Sequence, residues 1–257
     1  MAKKLLIVGA HPDDAEFHAG ALMCRAADSG WEVQILCLTD GSAGHHEMDR
    51  DALRARRAVE ARTAAQQIGA GVHIWDVEDG MLVASLVNRL RLITDIRRFQ
   101  PDVLVTHRPW DYHPDHRACG TLVQDACYMI SVPAICADTP VPANEPIVLL
   151  MGDHFQRPAP CRPDLVLSVT PYLDRVTAML NAHESQVYEW LPHVMKREVG
   201  ADRPVWLGRF YSQRGRMMAN LIASNLELAE ILELSEYGRQ IAPASLPALF
   251  ESSSITS

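Results

Sequence analysis

The sequence predicts an α/β fold: a Rossmann-like, three-layer arrangement with a mostly parallel sheet covered by helices. Three observations lead there. Short apolar runs such as KLLIVG (4–9) and DVLVTH (102–107) alternate with helix-like segments through the first half of the chain. That alternation is the pattern of βαβ units. Polar loops then follow the apolar runs, where open parallel sheets place their sites.

In chain order, 4–9 is a buried strand and a helix follows from about Asp14 to Ser29; WEVQILCLT (31–39) is a second strand after the break at Gly30. Residues 47–68 are rich in Ala, Arg and Glu and read as a helix that Gly69 and Gly71 end. VHIWDV is a short strand, and 85–99 is an amphipathic helix with Ser85 as its N-cap. DVLVTH follows Pro101. The stretch 132–163 is proline-rich loop around the short strand IVLLM. LVLSVT reads as a strand, PYLDRVTAMLNAHESQ as a helix, and 213–236 as one long helix. The chain is expected to be one domain over 1–257, with 242–257 a frayed Pro- and Ser-rich tail.

Bulk properties narrow the function classes. The 257 residues, 48% hydrophobic, suffice for one large core. A net charge of -8 without a basic cluster argues against nucleic acid or an anionic membrane surface as partner. No apolar run approaches the roughly 20 residues of a membrane span. The basic-then-apolar start MAKKLLIVGAHPDD is too short for a signal peptide. Six scattered cysteines without a CxxC fit reduced thiols in a cytoplasmic protein. The first strand lacks the GxGxxG that lets a dinucleotide approach, so NAD is not expected.

The chemistry concentrates in two loops. AHPDD ends the first strand with two adjacent carboxylates, which repel unless a cation lies between them. HPDH, with His113, Asp115 and His116, follows a later strand. Catalytic zinc needs about three N or O ligands and an open position for water. One histidine and one carboxylate from the first loop, with one histidine from the second, meet that count. His11 and Asp14 stand i, i+3 on a turn entering a helix and can chelate together. Asp13 is then free to act as general base toward a zinc-bound water.

AHPDDAE together with HPDH resembles the LmbE-like or PIG-L superfamily of metal-dependent N-deacetylases. RAVEA (57–61) and AHESQ (182–186) are similar to further elements of that family, and the resemblance spans roughly residues 4 to 190. It implies a Rossmann-like fold with a metal site at the carboxyl ends of the strands. It implies that His11, Asp14 and His116 bind Zn2+, with another divalent ion such as Fe2+ as the substitute. Asp13 would be the base. His113, oriented by Asp115, would stabilise the oxyanion or protonate the leaving amine. Arg57 would contact substrate or brace the loop; His45 and His183, which the resemblance does not assign, are further substrate-binding candidates. The expected reaction removes an acyl group, normally acetyl, from a small N-acylated, sugar-like substrate. In this family variant Ala15 intervenes before the acid Glu16.

Two other classes share parts of the pattern. Two histidines and a carboxylate also describe the facial triad of a non-haem Fe(II) oxygenase, usually on a β-rich scaffold. A metal or sugar sensor would need ligands but no base, against the presence of Asp13 and His113. The segments 132–163 and 186–216 are expected to wall the pocket, with Tyr188, Trp190 and Trp206 able to stack on a sugar ring. His18 reads as packing, His107 and Arg108 as supports of the HPDH loop, His46 as exposed and His154 as a wall candidate. An apolar helix at 217–234 points to a homo-oligomer.

Overall fold

The computed structural model describes residues 2–251. Seven strands form one sheet in the order β3-β2-β1-β4-β5-β7-β6. They are β1 (Lys4–Gly9), β2 (Glu32–Cys37), β3 (Gly71–Ile74), β4 (Val103–Thr106), β5 (Ile147–Met151), β6 (Leu165–Ser168) and β7 (Ala229–Leu234). The first five pair in parallel, and β7 runs antiparallel between β5 and β6. Leu5 of β1 pairs with Val33 on one side and Val103 on the other, so the order reverses beside β1. In such sheets the crevice at the reversal is the ligand site.

Continuous apolar strands are the consequence of burial on both faces. β4 (VLVT) and β5 (IVLLM) are buried at every residue. On one face pack α1 (Asp14–Asp28), α2 (Arg50–Gln66), α5 (Leu173–Asn181) and α7 (Arg203–Leu221), through Leu22, Ala64, Val176 and Leu207. On the other face lie α3 (Leu86–Phe99) and α4 (Pro114–Met129), through Leu92, Ile96, Leu122 and Val123. Ser85 caps α3 by accepting from Asn88 N at 3.2 Å. Among the described residues no helix is long and apolar enough to cross a membrane.

The second half departs from the sequence reading. Residues 213–236 are not one helix: α7 ends at Leu221, and Ala229–Leu234 is the strand β7. The segment AEILEL is rich in helix formers, yet pairing with β5 and β6 overrides that weak preference. Self-association, expected from a helix at 217–234, loses that basis. Glu230 of β7 has a specific job. α1 is kinked at Ala19 (φ -138), and the Glu230 carboxylate accepts the amides of Ala21 (2.9 Å) and Leu22 (2.8 Å).

The helix expected at 171–186 is also broken. A 3-10 turn (Thr170–Tyr172) precedes α5, and after His183 the chain enters a π-helical turn (Ser185–Trp190) leading into α6 (Leu191–Met195). The tail is ordered as far as it is described. Leu246 and Phe250 are buried, and Phe250 stacks on Trp31 at 4.8 Å. Residues 252–257, expected as frayed, lie outside the described part.

Candidate metal and catalytic site

Three neighbouring parallel strands deliver the chemistry to one edge. AHPDD leaves β1, the 38–49 loop leaves β2, and the 107–113 loop leaves β4. A fourth segment, from β3, brings Asp79 and Gly80. Together they line a cavity of about 440 Å³ with Phe17, Trp190 and Phe210 as its apolar wall.

At its floor donor atoms of three residues meet. His11 Nδ1 is 3.5 Å from Asp14 Oδ2 and 3.3 Å from His116 Nε2, and His116 Nε2 is 3.3 Å from Asp14 Oδ1. Tetrahedral ligands at zinc bond lengths stand about 3.3 Å apart, so the donor set fits a divalent ion of that size. All three residues are buried. Other groups within chelating distance are Asp14/His107/His116 and His11/Asp79/Asp115, all buried, and His11/His113/His116, of which His113 is half-buried.

The second layer fixes the rings. Asp111 Oδ1 lies 3.1 Å from His116 Nδ1, and His107 stacks on His116 at 4.0 Å with Nε2 3.0 Å from Asp14 Oδ2. His11 Nε2 lies 3.2 Å from both Asp79 and Asp115. Such partners on the far ring nitrogen are what orient metal-ligating histidines. Asp79 and Asp111 belong to no motif; their only sequence signal is a position in a polar turn after a strand.

The electrostatics ask for a cation. Burial opposes charge on His11, yet Asp115, Asp14 and Asp79 overcome it and hold its pKa well above the usual histidine range. Burial lowers and Asp14 raises the pKa of His116, leaving it at about 9. Burial would raise the pKa of Asp14, but His116 and His107 pull it well below normal. A cluster that draws protons onto its histidines in this way is one a metal ion can neutralise instead.

Asp13 stands apart from this cluster. Its backbone sits at φ 132, ψ -21, a region that non-glycine residues seldom adopt. That turn directs its carboxylate to Arg57, whose Nη2 is 3.2 Å from Oδ1. Burial raises the Asp13 pKa to about 6, against the pull of Arg57. Arg57 itself is buried and donates to Gly41 O (3.0 Å) and Pro12 O (2.5 Å), tying the β1 and β2 loops together. Gly41, at φ +68, admits that approach, because a Cβ there would collide with the guanidinium.

Several expected roles change. The Asp115 carboxylate does not orient His113: it accepts from Gly80 N (2.7 Å) and Leu82 N (3.2 Å) and faces His11. The link runs through the backbone, since His113 Nδ1 caps α4 by accepting from Asp115 N at 3.2 Å. Nδ1 is therefore unprotonated, and burial with His11 and His116 nearby lowers the His113 pKa. A ring with its proton on Nε2 is set to donate a hydrogen bond to an oxyanion rather than to protonate a leaving amine.

His183 is fully buried against Glu16 (3.3 Å) and does not line the cavity. His45 also lies off the cavity: its Nε2 meets Glu189 at 2.9 Å, and its Nδ1 accepts from Glu47 N and Met48 N. His46 stacks between His45 and His193 beside Trp190. Of the three aromatic candidates only Trp190 lines the cavity; Trp206 stacks on Phe210 behind it. None of residues 132–163, His154 included, lines it. His18, read as packing, does line it.

Fold and site thus define an α/β protein with a buried His/Asp cluster at its strand ends that could hold a metal ion. Comparison with known proteins agrees. Residues 6–127 match the family model PIG-L, GlcNAc-PI de-N-acetylase. The chain is similar to diacetylchitobiose deacetylase of Thermococcus kodakarensis, 28% identical over 204 residues and 75% of each chain. It is equally similar to 4-oxalmesaconate hydratase of Pseudomonas putida, 28% identical over 196 residues, 73% of this chain and 76% of that one. In structure it resembles the N,N'-diacetylchitobiose deacetylase of Pyrococcus horikoshii with a TM-score of 0.76, 22% identity, and coverage of 91% of this chain and 84% of that one. The last likeness bears on the fold alone. The family match over residues 6–127 and the relatives named as deacetylases support the LmbE-like, or PIG-L, superfamily.

Proposed function

We propose that the protein is a zinc-dependent hydrolase that removes an acyl group, acetyl foremost, from the nitrogen of a small sugar-like amide. The observation that carries this reading is the 3.3–3.5 Å spacing of His11 Nδ1, Asp14 and His116 Nε2, with the Asp13 carboxylate lining the same cavity. The similarity to a protein named as a diacetylchitobiose deacetylase supports the substrate class. A divalent ion held by His11, Asp14 and His116 would lower the pKa of a water toward about 7 and polarise the acyl carbonyl.

The remaining work falls to the chain's own groups. Asp13, with a pKa of about 6, can take the proton of the attacking water and return it to the departing amine. Arg57 holds that carboxylate in place. The Nε2–H of neutral His113 donates to the oxygen on which negative charge develops. The amide C–N bond breaks, leaving a carboxylic acid and a free amine.

A second reading, hydration of an unsaturated acid, is favoured by the likeness to 4-oxalmesaconate hydratase. Carboxylated substrates call for cationic partners. The one Arg or Lys lining the cavity among the described residues is Arg57, already committed to Asp13, Gly41 O and Pro12 O. That favours an uncharged amide and a sugar-like ring against Trp190, Phe17 and Phe210.

Metal analysis tests the site. The purified protein should carry about one zinc per chain, and His116→Ala, which deletes one of three ligands, should lose it. Full occupancy in His116→Ala would remove this residue from the metal site. All six cysteines are free, which supports placement in a reducing compartment such as the cytoplasm.

A further inference from the structure

His18 stands on α1, four residues after Asp14, and its ring lines the cavity. It sits edge-on to His107 at 5.7 Å and to His116 at 6.4 Å. Its Nδ1 is 2.7 Å from Arg214 Nη2 on α7. A guanidinium has donors and no acceptor, so His18 Nδ1 must carry the lone pair and Nε2 the proton. Among the described residues no group accepts from that Nε2–H.

Arg214 is built to hold this arrangement. Its Nε donates to Phe17 O at 3.1 Å and its Nη2 also donates to Gly152 O at 2.9 Å, so the guanidinium is fixed to α1 and to the end of β5. It makes no ion pair with any carboxylate among the described residues. Its charge faces the imidazole in front of it and strengthens Nε2–H as a donor. His113 shows the same device, with Nδ1 occupied by the Asp115 amide. His113 lies 4.6 Å from His11 and 5.0 Å from His116, close over the ligands, whereas His18 stands farther out.

We propose that His18 is a specificity-determining residue whose Nε2–H binds an acceptor oxygen of the substrate beside the scissile amide, with Arg214 as its positioning residue. The proposal deepens the deacetylase reading and rests on it for the nature of the substrate. On an N-acyl amino sugar, the acceptor is the ring hydroxyl next to the acylamino group. A site built to hydrogen-bond such an oxygen discriminates against the analogue that lacks it, because its own donor is then left unpaired.

The test pairs kinetics with histidine NMR on the zinc-loaded protein. His18→Phe should keep its metal and raise KM for N-acetylglucosamine-type substrates roughly 10- to 100-fold, the cost of losing a buried donor. It should change KM little for the analogue deoxy at the neighbouring carbon. His18→Gln, which retains an N–H, should recover part of the loss. In 15N-histidine spectra the wild-type His18 signal, assigned by its absence in His18→Gln, should show Nε2 protonated. Arg214→Met should mix the tautomers, and adding the amino sugar should shift the Nε2–H resonance. Equal losses for parent and deoxy substrates, a His18 proton on Nδ1, or a resonance indifferent to every amino sugar tried would overturn the proposal. A wild type that binds these sugars through His18 yet releases no amine would instead overturn the deacetylase reading.

Discussion

Arg57 Nη2 lies 3.2 Å from Asp13 Oδ1, and the same guanidinium grips Pro12 O and Gly41 O. One buried arginine thus sets both the position of the proposed base and the path of the two loops around it. Removing its charge has a definite sign. Arg57 holds the Asp13 pKa down against burial, so Arg57→Met should raise it further above about 6. The base must be ionised to act, so the acidic limb of the rate–pH profile should move to higher pH. Arg57→Lys should move it less. An unshifted limb in Arg57→Met would separate Asp13 from the rate.

The two adjacent aspartates should behave differently. Asp14 bridges His11 and His116, whereas Asp13 pairs with Arg57. Asp14→Asn should weaken metal binding. Asp13→Asn should keep the metal and lose about 10²-fold or more in turnover, the usual contribution of a positioned base. Metal analysis beside turnover reads both, and metal lost from Asp13→Asn with retention in Asp14→Asn would reverse the assignment.

Asp13 stores backbone strain. At φ 132 its Cβ is the unfavourable feature, and residues forced into such regions cost about 1–3 kcal/mol. Both Asp13→Gly and Asp13→Ala remove the carboxylate, but only glycine removes the Cβ. Chemical denaturation should find Asp13→Gly the more stable of the two by about 1–2 kcal/mol. Equal stability would mean that the turn relaxes.

Glu230 offers a pH test remote from the proposed metal site. Burial raises its pKa to about 7, against the two amides it accepts and the charge of Arg214. Because the folded-state pKa lies above the ordinary carboxyl value, the folded protein holds this proton more tightly. Its stabilising share is present below about pH 4.5 and is lost as pH rises through about 7. At full size that is about 3 kcal/mol, from some 2.5 pH units at 1.36 kcal/mol each. The stability of wild type relative to Glu230→Gln should decline across that window. A flat difference would show that Glu230 titrates normally.

Much of this was legible in the sequence because local chemistry and topology coincide there. AHPDD and HPDH follow β1 and β4, and parallel strands send such loops to one edge, so the meeting of His11, Asp14 and His116 could be anticipated. Ser85 likewise announced the start of α3. What escaped depends on contacts distant along the chain. Asp79 and Asp111 enter the site from turns without a motif, and Arg214 reaches His18 across 196 positions. AEILEL becomes a strand only because β5 and β6 receive it. Asp115 looked like a partner for His113, but the amides of Gly80 and Leu82 claim its carboxylate.

The central claim is amide hydrolysis, and product analysis on the zinc-loaded wild type tests it most directly. The protein should be incubated, with and without a chelator and without oxygen, with N-acetylglucosamine and N,N'-diacetylchitobiose, and in parallel with 4-oxalmesaconate. The account predicts stoichiometric acetate and free amine from an N-acetylated substrate, dependence on the metal, indifference to oxygen, and no loss of the unsaturated acid. Hydration of 4-oxalmesaconate with no amine released from any N-acylated compound would contradict it.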